Sequence, residues 1–319
     1  MSPIVKLLAQ RIALGLLLLF LVSILIFAGT IVLPGDVAQS ILGQSATPEA
    51  LANLRAELGL DEPPVARYFN WLFGVFQGDL GTALTSGQDI ATAIGKRLGN
   101  TLFLAFWAAV IAVPLAIFLG LLAVRYRERW PDKLISAVTL ASISVPEFLI
   151  GYILMFFIGV KLGWFPPTAI SYRPDADLLT KLSAVALPIA VLTLVVLAHM
   201  MRMTRAAILN VMQSAYIETA ELKGLRMFTI IWKHAFANSV APVVNVVMLN
   251  LAYLVVGVVV VEVVFVYPGM GGYLVDHVSK RDIPVVQACG LIFAAVYIGL
   301  NLIADVVSIL ANPRLRHPK

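Results

Sequence analysis

Three acidic residues, Glu147, Glu262 and Asp305, lie in stretches of the sequence that are otherwise apolar. A carboxylate in hydrocarbon is costly unless it is paired, protonated or in contact with water. One interpretation places Glu147 and Glu262 along a translocation path, where a carboxylate could bind a positively charged amino group. The other has them brace helices or contact a second subunit. Asp305 is expected to be structural, neutralised by Arg314 or by water.

No other set of residues has the spacing of a known catalytic or metal site. The motifs H-E-x-x-H and G-x-S-x-G do not occur. The phosphate-binding pattern G-x-x-x-x-G-K-[ST] is also missing, because the Gly95-Lys96 pair is followed by arginine and lacks the upstream glycine. The single cysteine, Cys289, is expected to be a packed apolar residue, and His199 and His234 to be structural. The sequence therefore predicts no covalent chemistry, no metal site and no ATP site.

A short polar segment from Ser214 to Leu225 separates two long apolar stretches. Ser214 is expected to cap a helix that Gly224 ends with a positive φ. About two turns of helix are too short to be stable alone in water, so the segment is expected to dock against something. The alternative is an ordinary helix lying on lipid headgroups. The residues expected to make the contact are Tyr216, Ile217, Glu218, Thr219, Ala220, Glu221, Lys223, Gly224 and Leu225, with Ala220 and Gly224 forming a small-residue face.

The composition indicates that lipid is the solvent for much of this chain. Of its 319 residues 60% are hydrophobic and 13% are charged, and its mean hydropathy is +0.92. A soluble domain of this length could not cover so much apolar surface. The net charge is +5, but no run of lysine and arginine exceeds two residues. Basic loops beside a membrane are therefore favoured over a nucleic-acid partner.

Six apolar runs are each long enough to cross the bilayer as a helix. The first has no A-x-A site after it and is too long for a signal peptide, so it is interpreted as an uncleaved span. Pro114, Pro146 and Pro188 are expected to bend the second, third and fourth runs. The predicted runs cover residues 12–33, 101–124, 134–160, 182–201, 240–266 and 285–310. The fold class is therefore an all-α polytopic membrane bundle with six transmembrane helices.

The distribution of positive charge predicts that both termini are cytoplasmic. With that orientation, 14 of the 23 lysine and arginine residues lie on the cytoplasmic side. The first outer segment, residues 34–100, is then a small helical extracytoplasmic insert. Its first helix is expected to begin at Thr47-Pro48 and to end at Gly59. Its second carries Tyr68 and other aromatic residues, which could equally form an interfacial belt without a further role.

Several motifs together resemble one family of membrane proteins. Glu218-Thr219-Ala220-x-x-x-Gly224, followed by His234, Asn238 and Pro242, resembles the coupling loop of importer-type ATP-binding-cassette (ABC) permeases. Within these permeases the chain is most similar to the dipeptide, oligopeptide and nickel subfamily. The supporting motifs are Leu33-Pro34-Gly35-Asp36, Leu58-Gly59-Leu60-Asp61, Gly78-Asp79-Leu80-Gly81, Arg97-Leu98-x-Asn100-Thr101-Leu102, Ser144-x-Pro146-x-Phe148-x-x-Gly151, Gly163-Trp164-Phe165-Pro166, Glu262-x-x-Phe265-x-x-Pro268-Gly269-x-Gly271 and Asn312-Pro313-Arg314-x-Arg316.

Two residues of the coupling loop depart from the subfamily pattern, whereas two of the acids in apolar stretches match it. Glu218 and Glu221 are acidic where the subfamily usually has arginine, which leaves open whether its usual ATPase partners would fit. Glu147 and Glu262 match recurrent positions in a family with varied substrates, and this favours the bracing interpretation for both.

The resemblance implies a single transmembrane permease domain, residues 1–319, of the type I ABC importer fold, with a coupling loop at 205–235. It implies a heterodimer with a second permease, two cytoplasmic ATPase subunits that use ATP and Mg, and an extracytoplasmic solute-binding protein. This chain would bind no cofactor and lie in the bacterial inner membrane. Dipeptides, oligopeptides, nickel chelates and glutathione all remain open as substrates. The rivals are an ion-gradient-driven secondary transporter, for which no inverted repeat is evident, and an intramembrane enzyme.

Overall fold

Helices make up almost all of the regular structure in the computed structural model, which describes residues 3–32, 37–57 and 59–311. The described part contains no strand beyond one isolated bridge between Thr82 and Asp89. The helices are α1 Pro3–Val32, α2 Val37–Leu42, α3 Pro48–Glu57, α4 Pro64–Gln77, α5 Ile90–Arg125, α6 Trp130–Ser144, α7 Glu147–Leu154, α8 Leu178–Ala184, α9 Ala186–Met212, α10 Ala215–Leu222, α11 Met227–Thr229, α12 Ala237–Phe265, α13 Met270–Ser279 and α14 Ile283–Ala311. Two π-helical segments, Met155–Lys161 and Ile230–Phe236, continue α7 and lead into α12.

Five of the six predicted spans correspond to helices that are long and apolar enough to cross a membrane. These stretches are Leu8–Val32, Ile90–Arg125, Ala186–Met212, Met227–Val255 and Ile283–Val307. In a bilayer every backbone polar group must be bonded within the protein, which a continuous helix achieves by itself. The predicted all-α membrane bundle is confirmed.

The third predicted span is a pair of helices, α6 and α7, bent by 104° where Pro146 follows α6. At one end, Asp132 of α6 pairs with Arg205 near the end of α9. At the other end, α7 packs on the last turns of α12, where a Cβ added to Gly151 would lie 3.3 Å from the Phe265 ring. The two helices thus reach opposite ends of the bundle, and together they form one broken crossing.

The other two prolines lie within helices. Pro114 lies inside α5, which continues without interruption from Ile90 to Arg125. Pro188 lies in the first turn of α9, where a missing N–H costs no hydrogen bond. The chain does break near Pro188, but it breaks at Val185, between α8 and α9.

The insert between α1 and α5 leads directly into the long helix α5. The Asp89 carboxylate accepts a hydrogen bond of 2.7 Å from the Thr92 amide, and hydrogen bonds from the side chain and the amide of Thr92 lower the pKa of Asp89 below its usual value. This N-cap starts α5 at Ile90, so residues 90–100, the last part of the predicted insert, are the first turns of that helix. The expected helices at Pro48 and Tyr68 are present as α3 and α4.

The local signals in the insert are confirmed wherever the structure describes them. The Ala50 amide donates to the Thr47 hydroxyl at 3.2 Å, as an N-cap requires. Gly59 adopts a φ of 61° just after α3, and Gly78 a φ of 82° at the end of α4. Leu58, the Leu33-to-Asp36 motif and the Asn312-to-Arg316 motif lie outside the described residues.

Aromatic packing and one buried acid attach the insert to the bundle. The rings of Tyr68 and Trp71 on α4 lie 5.3 and 6.1 Å from the ring of Phe27 on α1, and the Tyr68 and Ser23 hydroxyls are 2.8 Å apart. Asp282, between α13 and α14, is fully buried. Its carboxylate accepts hydrogen bonds of 3.1 and 2.9 Å from the Leu84 and Thr85 amides and of 2.8 Å from the Thr85 hydroxyl.

Replacement of Asp282 by alanine is expected to lower the stability of the folded chain by about 1–3 kcal/mol, because it leaves buried amide donors without an acceptor. The measurement is the thermal melting temperature of the purified protein in detergent. Asp61→Ala, which removes an exposed acid of the same insert, is the matched control. Equal melting temperatures for the two variants would contradict a clamping role for Asp282.

Candidate functional site

The segment predicted to couple the bundle to a partner is α10, at the end of the bundle opposite the insert. Its C-terminus has the predicted form: Gly224 adopts a φ of 75°, its amide donates to the Glu221 carbonyl at 2.8 Å, and the Leu225 amide donates to the Ala220 carbonyl at 3.3 Å. This pair of bonds is the Schellman arrangement. Ser214 occupies the N-cap position, but its hydroxyl donates to the Val211 carbonyl and does not cap α10.

The inner side of α10 packs on its own bundle. Ile217 and Ala220 are 1% and 7% exposed. They join a hydrophobic cluster with residues of α5, α9 and the second π segment, namely Leu121, Val124, Ile208, Ile230, Ile231 and Ala235. Of the predicted small-residue face, Ala220 therefore faces its own bundle, whereas Gly224 is exposed. The short helix is stabilised by this cluster and can move with the helices that supply it.

The outer side of α10 and the turn after it present a mixed apolar and charged surface. Leu222 is 83% exposed and Phe228 is 68% exposed. The remaining exposed residues are Ala215, Tyr216, Glu218, Thr219, Glu221, Lys223, Gly224, Leu225, Arg226 and Met227. Sequence reasoning missed Leu222 and Phe228. The signal for Leu222 was its position, two residues from Ala220 and hence on the opposite side of the helix.

Hydrogen bonds connect this segment to the spanning helix α12. The Asn238 side-chain amide donates to the His234 carbonyl at 2.7 Å, and the Tyr216 hydroxyl contacts the same carbonyl at 3.4 Å. His234 lies in the π segment Ile230–Phe236, whose wider turn runs directly into α12. Tyr216 and the cluster around Ile217 thus link α10 to the start of α12.

At the insert-bearing end, Glu262 of α12 is fully buried and fully hydrogen-bonded. Its carboxylate accepts a hydrogen bond of 2.6 Å from the Thr101 hydroxyl of α5. It also accepts hydrogen bonds of 2.7 and 3.1 Å from the Gly271 and Gly272 amides of α13. The two amides are orphan donors in the first turn of α13, so the acid caps that helix. This geometry favours the bracing interpretation of Glu262 over a path-lining role.

Close approach of the backbone makes this cap possible. A Cβ added to Gly269 or Gly271 would lie within 3 Å of the Glu262 carboxylate. Two further hydrogen bonds join α5 to the segment between α12 and α13. The Asn100 side chain donates to the Pro268 carbonyl at 2.8 Å, and the Tyr267 hydroxyl donates to the Asn100 carbonyl at 2.8 Å. The predicted motifs around Asn100 and Glu262 are therefore two halves of one interhelical contact.

Glu147 has the opposite environment. It lies at the first position of α7, directly after the bend, and its side chain is half-buried. Among the described residues no hydrogen bond or ion pair reaches its carboxylate. One carboxylate oxygen lies 4.0 Å from the Cβ position of Gly257 on α12. The translocation-path interpretation stays a prediction for Glu147, with a carboxylate that is free to bind a passing group.

The remaining candidates have structural surroundings. Asp305 pairs with Arg11 of α1 at 3.3 Å, whereas Arg314, its expected partner, lies outside the described residues. Cys289 is fully buried in a hydrophobic cluster, as expected. His199 is exposed in the middle of α9. Between 3–32, 37–57 and 59–311 no three histidine, cysteine, aspartate or glutamate residues are close enough to hold a metal ion.

One buried ion pair was missed by sequence reasoning. The Arg205 guanidinium donates to both Asp132 oxygens, at 2.9 and 2.8 Å, and joins α6 to α9. Arg205, the first residue of the predicted coupling loop 205–235, lies in the last turns of α9. The two residues are 73 positions apart, so no local pattern indicates their contact.

Comparison with known families gives two matches that together span most of the chain. A family described as "Binding-protein-dependent transport system inner membrane component" matches residues 112–317. A second, described as the N-terminal part of such a membrane component, matches residues 4–105.

Individual relatives align over nearly the whole chain. A protein of Brucella abortus (strain 2308) named "Putative peptide transport system permease protein" is 36% identical over 98% of this chain and 99% of its own length. The glutathione transport system permease protein of Escherichia coli (strain K12) is 36% identical over 94% of this chain and 95% of its own length. Among solved structures, an inward-facing methionine ABC transporter matches with a TM-score of 0.50 and 16% identity, covering 70% of this chain and 96% of that chain. This last likeness supports the fold alone.

The two intramembrane glutamates form a matched pair for a test of the site. Glu262→Gln is expected to lower the melting temperature, at a cost of about 1–3 kcal/mol, because an amide NH₂ would face donors that need an acceptor. Glu147→Gln is expected to leave the melting temperature unchanged, since no described partner is lost. The measurement is thermal unfolding in detergent, and equal effects of both substitutions would contradict the bracing role of Glu262.

Proposed function

The chain belongs to the family of binding-protein-dependent transport system inner membrane components, and from this we propose that it forms half of the translocation pore of an ATP-driven peptide importer. It is a multi-pass permease subunit of an ABC transporter and works together with other components of that transporter. The observation that carries the proposal is α10, a two-turn helix that packs on the bundle through Ile217 and Ala220 and exposes Leu222 to a partner.

Peptides are the proposed substrate class. Relatives named for peptide transport and for glutathione transport are both 36% identical to this chain over at least 94% of its length. Glutathione is itself a small peptide with free carboxylates. A half-buried, unpartnered Glu147 near the bend between α6 and α7 provides a group that could bind a peptide's amino terminus during passage.

The proposed assembly contains a second, similar permease, two cytoplasmic ATPase subunits and an extracytoplasmic binding protein. The ATPases would bind ATP and Mg, and this chain would bind neither. Both termini would be cytoplasmic, because that orientation places 14 of the 23 basic residues on the cytoplasmic side. The insert 37–89 would then face the binding protein, and α10 the ATPases.

The proposed mechanism is alternating access driven from α10. Closure of the ATPases displaces α10. Through the cluster around Ile217 and the His234 carbonyl, this movement also displaces the N-terminal end of α12. The C-terminal end of α12 carries α13 with it, because Glu262 caps α13. The insert-bearing end opens as a unit, and the substrate moves from the binding protein into the pore. No observation favours the ion-gradient-driven alternative.

The assembly proposal is tested by reconstitution. We expect the chain to accumulate peptide in proteoliposomes only together with the second permease, the ATPases, the binding protein and ATP. The measurement is uptake of a radiolabelled peptide with each component left out in turn. Accumulation by this chain alone, driven by a proton or sodium gradient, would show a secondary transporter and end the proposal.

Gly224→Asp is expected to abolish uptake, because it strains the positive-φ end of α10 and adds an acid beside Glu221 on the docking surface. The matched control is Gly87→Asp, which places the same residue at a φ of 67° in the insert, again with no atom within 4 Å of the new Cβ. Both variants are measured for insertion, copurification of the ATPases and uptake. Normal uptake by Gly224→Asp would remove α10 from the coupling mechanism.

A further inference from the structure

Helix α4 of the insert carries an exposed apolar stripe, formed by Val65, Phe69, Phe73 and Phe76. The three phenylalanines are 57%, 66% and 81% exposed, and Val65 is 68% exposed. At 3.6 residues per turn the four side chains fall within about 80° of the helix circumference. No charged residue lies in this sector, in contrast to the mixed surface of α10. A continuous apolar stripe of this kind indicates an interaction with an apolar environment.

The other two sides of α4 have different surroundings. Tyr68 and Trp71 face the bundle, where both contact the ring of Phe27 on α1. By helical spacing, the exposed polar residues Asn70 and Gln77 lie on a third side, next to the stripe. A helix with one apolar side and one polar side, packed on a membrane-spanning helix, is typical of the membrane–water interface.

The apolar part of α1 indicates where the membrane surface lies along that helix. This part starts at Ile12, directly after the charged Arg11, and continues to Val32 at the end of the helix. At a rise of 1.5 Å per residue it is about 30 Å long, which equals the usual thickness of the hydrocarbon layer. Val32 therefore lies at the membrane surface on the insert-bearing side.

The contacts of α4 lie well below that surface. The Tyr68 hydroxyl is 2.8 Å from the hydroxyl of Ser23, which is nine positions before Val32. The Tyr68 and Trp71 rings contact the ring of Phe27, which is five positions before Val32. At the same rise these positions have depths of about 13 Å and about 8 Å. A tyrosine side chain is shorter than the greater depth, so α4 itself lies beside the last turns of the α1 span.

We propose that α4 lies in the membrane–water interface and inserts its apolar stripe among lipid acyl chains. Removal of this apolar area from water is favourable, and phenylalanine is a typical residue on the lipid-facing side of interfacial helices. Asn70 and Gln77 then remain in water. The insert is thereby anchored to the bilayer, and it presents the polar side of α4, not the stripe, to a binding protein.

The competing occupant of the stripe is a second permease, because a soluble binding protein does not reach below the membrane surface. Continuity with α1 favours lipid. Ile24 and Ile31, about one turn to either side of Phe27, are exposed apolar residues of the same membrane-spanning stretch. The stripe of α4 therefore extends an apolar surface of α1 that already lies at the depth of the acyl chains.

The experiment measures what surrounds a bimane label on single introduced cysteines, with the chain in phosphatidylcholine nanodiscs. Two quenchers are compared, namely a phosphatidylcholine with a nitroxide on its acyl chain and iodide in the water. Phe73→Cys labels the stripe, and Asn70→Cys, on the polar side of the same helix, is the matched control. Leu25→Cys, exposed on α1 between Ser23 and Phe27, is the lipid reference. The native Cys289 is fully buried and shielded from the label.

In the chain alone, we expect the nitroxide lipid to quench the Phe73→Cys label as strongly as the Leu25→Cys label. It should quench the Asn70→Cys label several times more weakly, and iodide should show the reverse order. The Phe73→Cys label should keep its lipid quenching after assembly with the second permease, the ATPases and the binding protein. If Phe73→Cys does not insert into the membrane, Phe76→Cys is measured in the same way.

Strong iodide quenching of the label in the stripe overturns the proposal, because the stripe then faces water. Loss of the lipid quenching on assembly also overturns it, because the second permease then covers the stripe. Neither result bears on peptide import, which the uptake measurements test separately.

Discussion

The carboxylate of Glu262 holds together the helices at one end of this membrane bundle. It lies on α12, receives the Thr101 hydroxyl of α5, and caps α13 through the Gly271 and Gly272 amides. A buried acid in a membrane protein is tolerated only when donors surround it, and here the donors come from two other elements. Glycine at 269 and 271 is required because the carboxylate occupies the space of a side chain.

The opposite end is held by contacts of a different kind. Asp132 and Arg205 form a two-bond ion pair between α6 and α9. Beside them, α10 packs the side chains of Ile217 and Ala220 into a cluster supplied by three other elements. The energetic consequence is that α10, too short to be stable alone, exists only as part of the bundle. A force applied to its exposed side therefore acts on the spanning helices directly.

Between these two ends, α12 connects the coupling surface to the buried cap. Its N-terminal end follows a π segment whose His234 carbonyl accepts a hydrogen bond from the Asn238 side chain and is contacted by the Tyr216 hydroxyl. Its C-terminal end carries Glu262. Helix α7 lies against α12. Glu147 is the first residue of α7, directly after the bend, and among the described residues no hydrogen bond or ion pair reaches its carboxylate.

The sequence by itself determined the apolar helical stretches, the position of α10 and the Gly224 termination, because each follows from composition or from residues close together in the chain. It also indicated the family through ordered motifs. Only the tertiary structure decided that Ala220 faces inwards, that Asp305 pairs with Arg11, and that Asp132 pairs with Arg205. Those outcomes depend on which helices meet across separations of many residues, and apolar periodicity carries no information about that choice. The same limit explains why Glu147 and Glu262, indistinguishable as acids in apolar runs, have different surroundings.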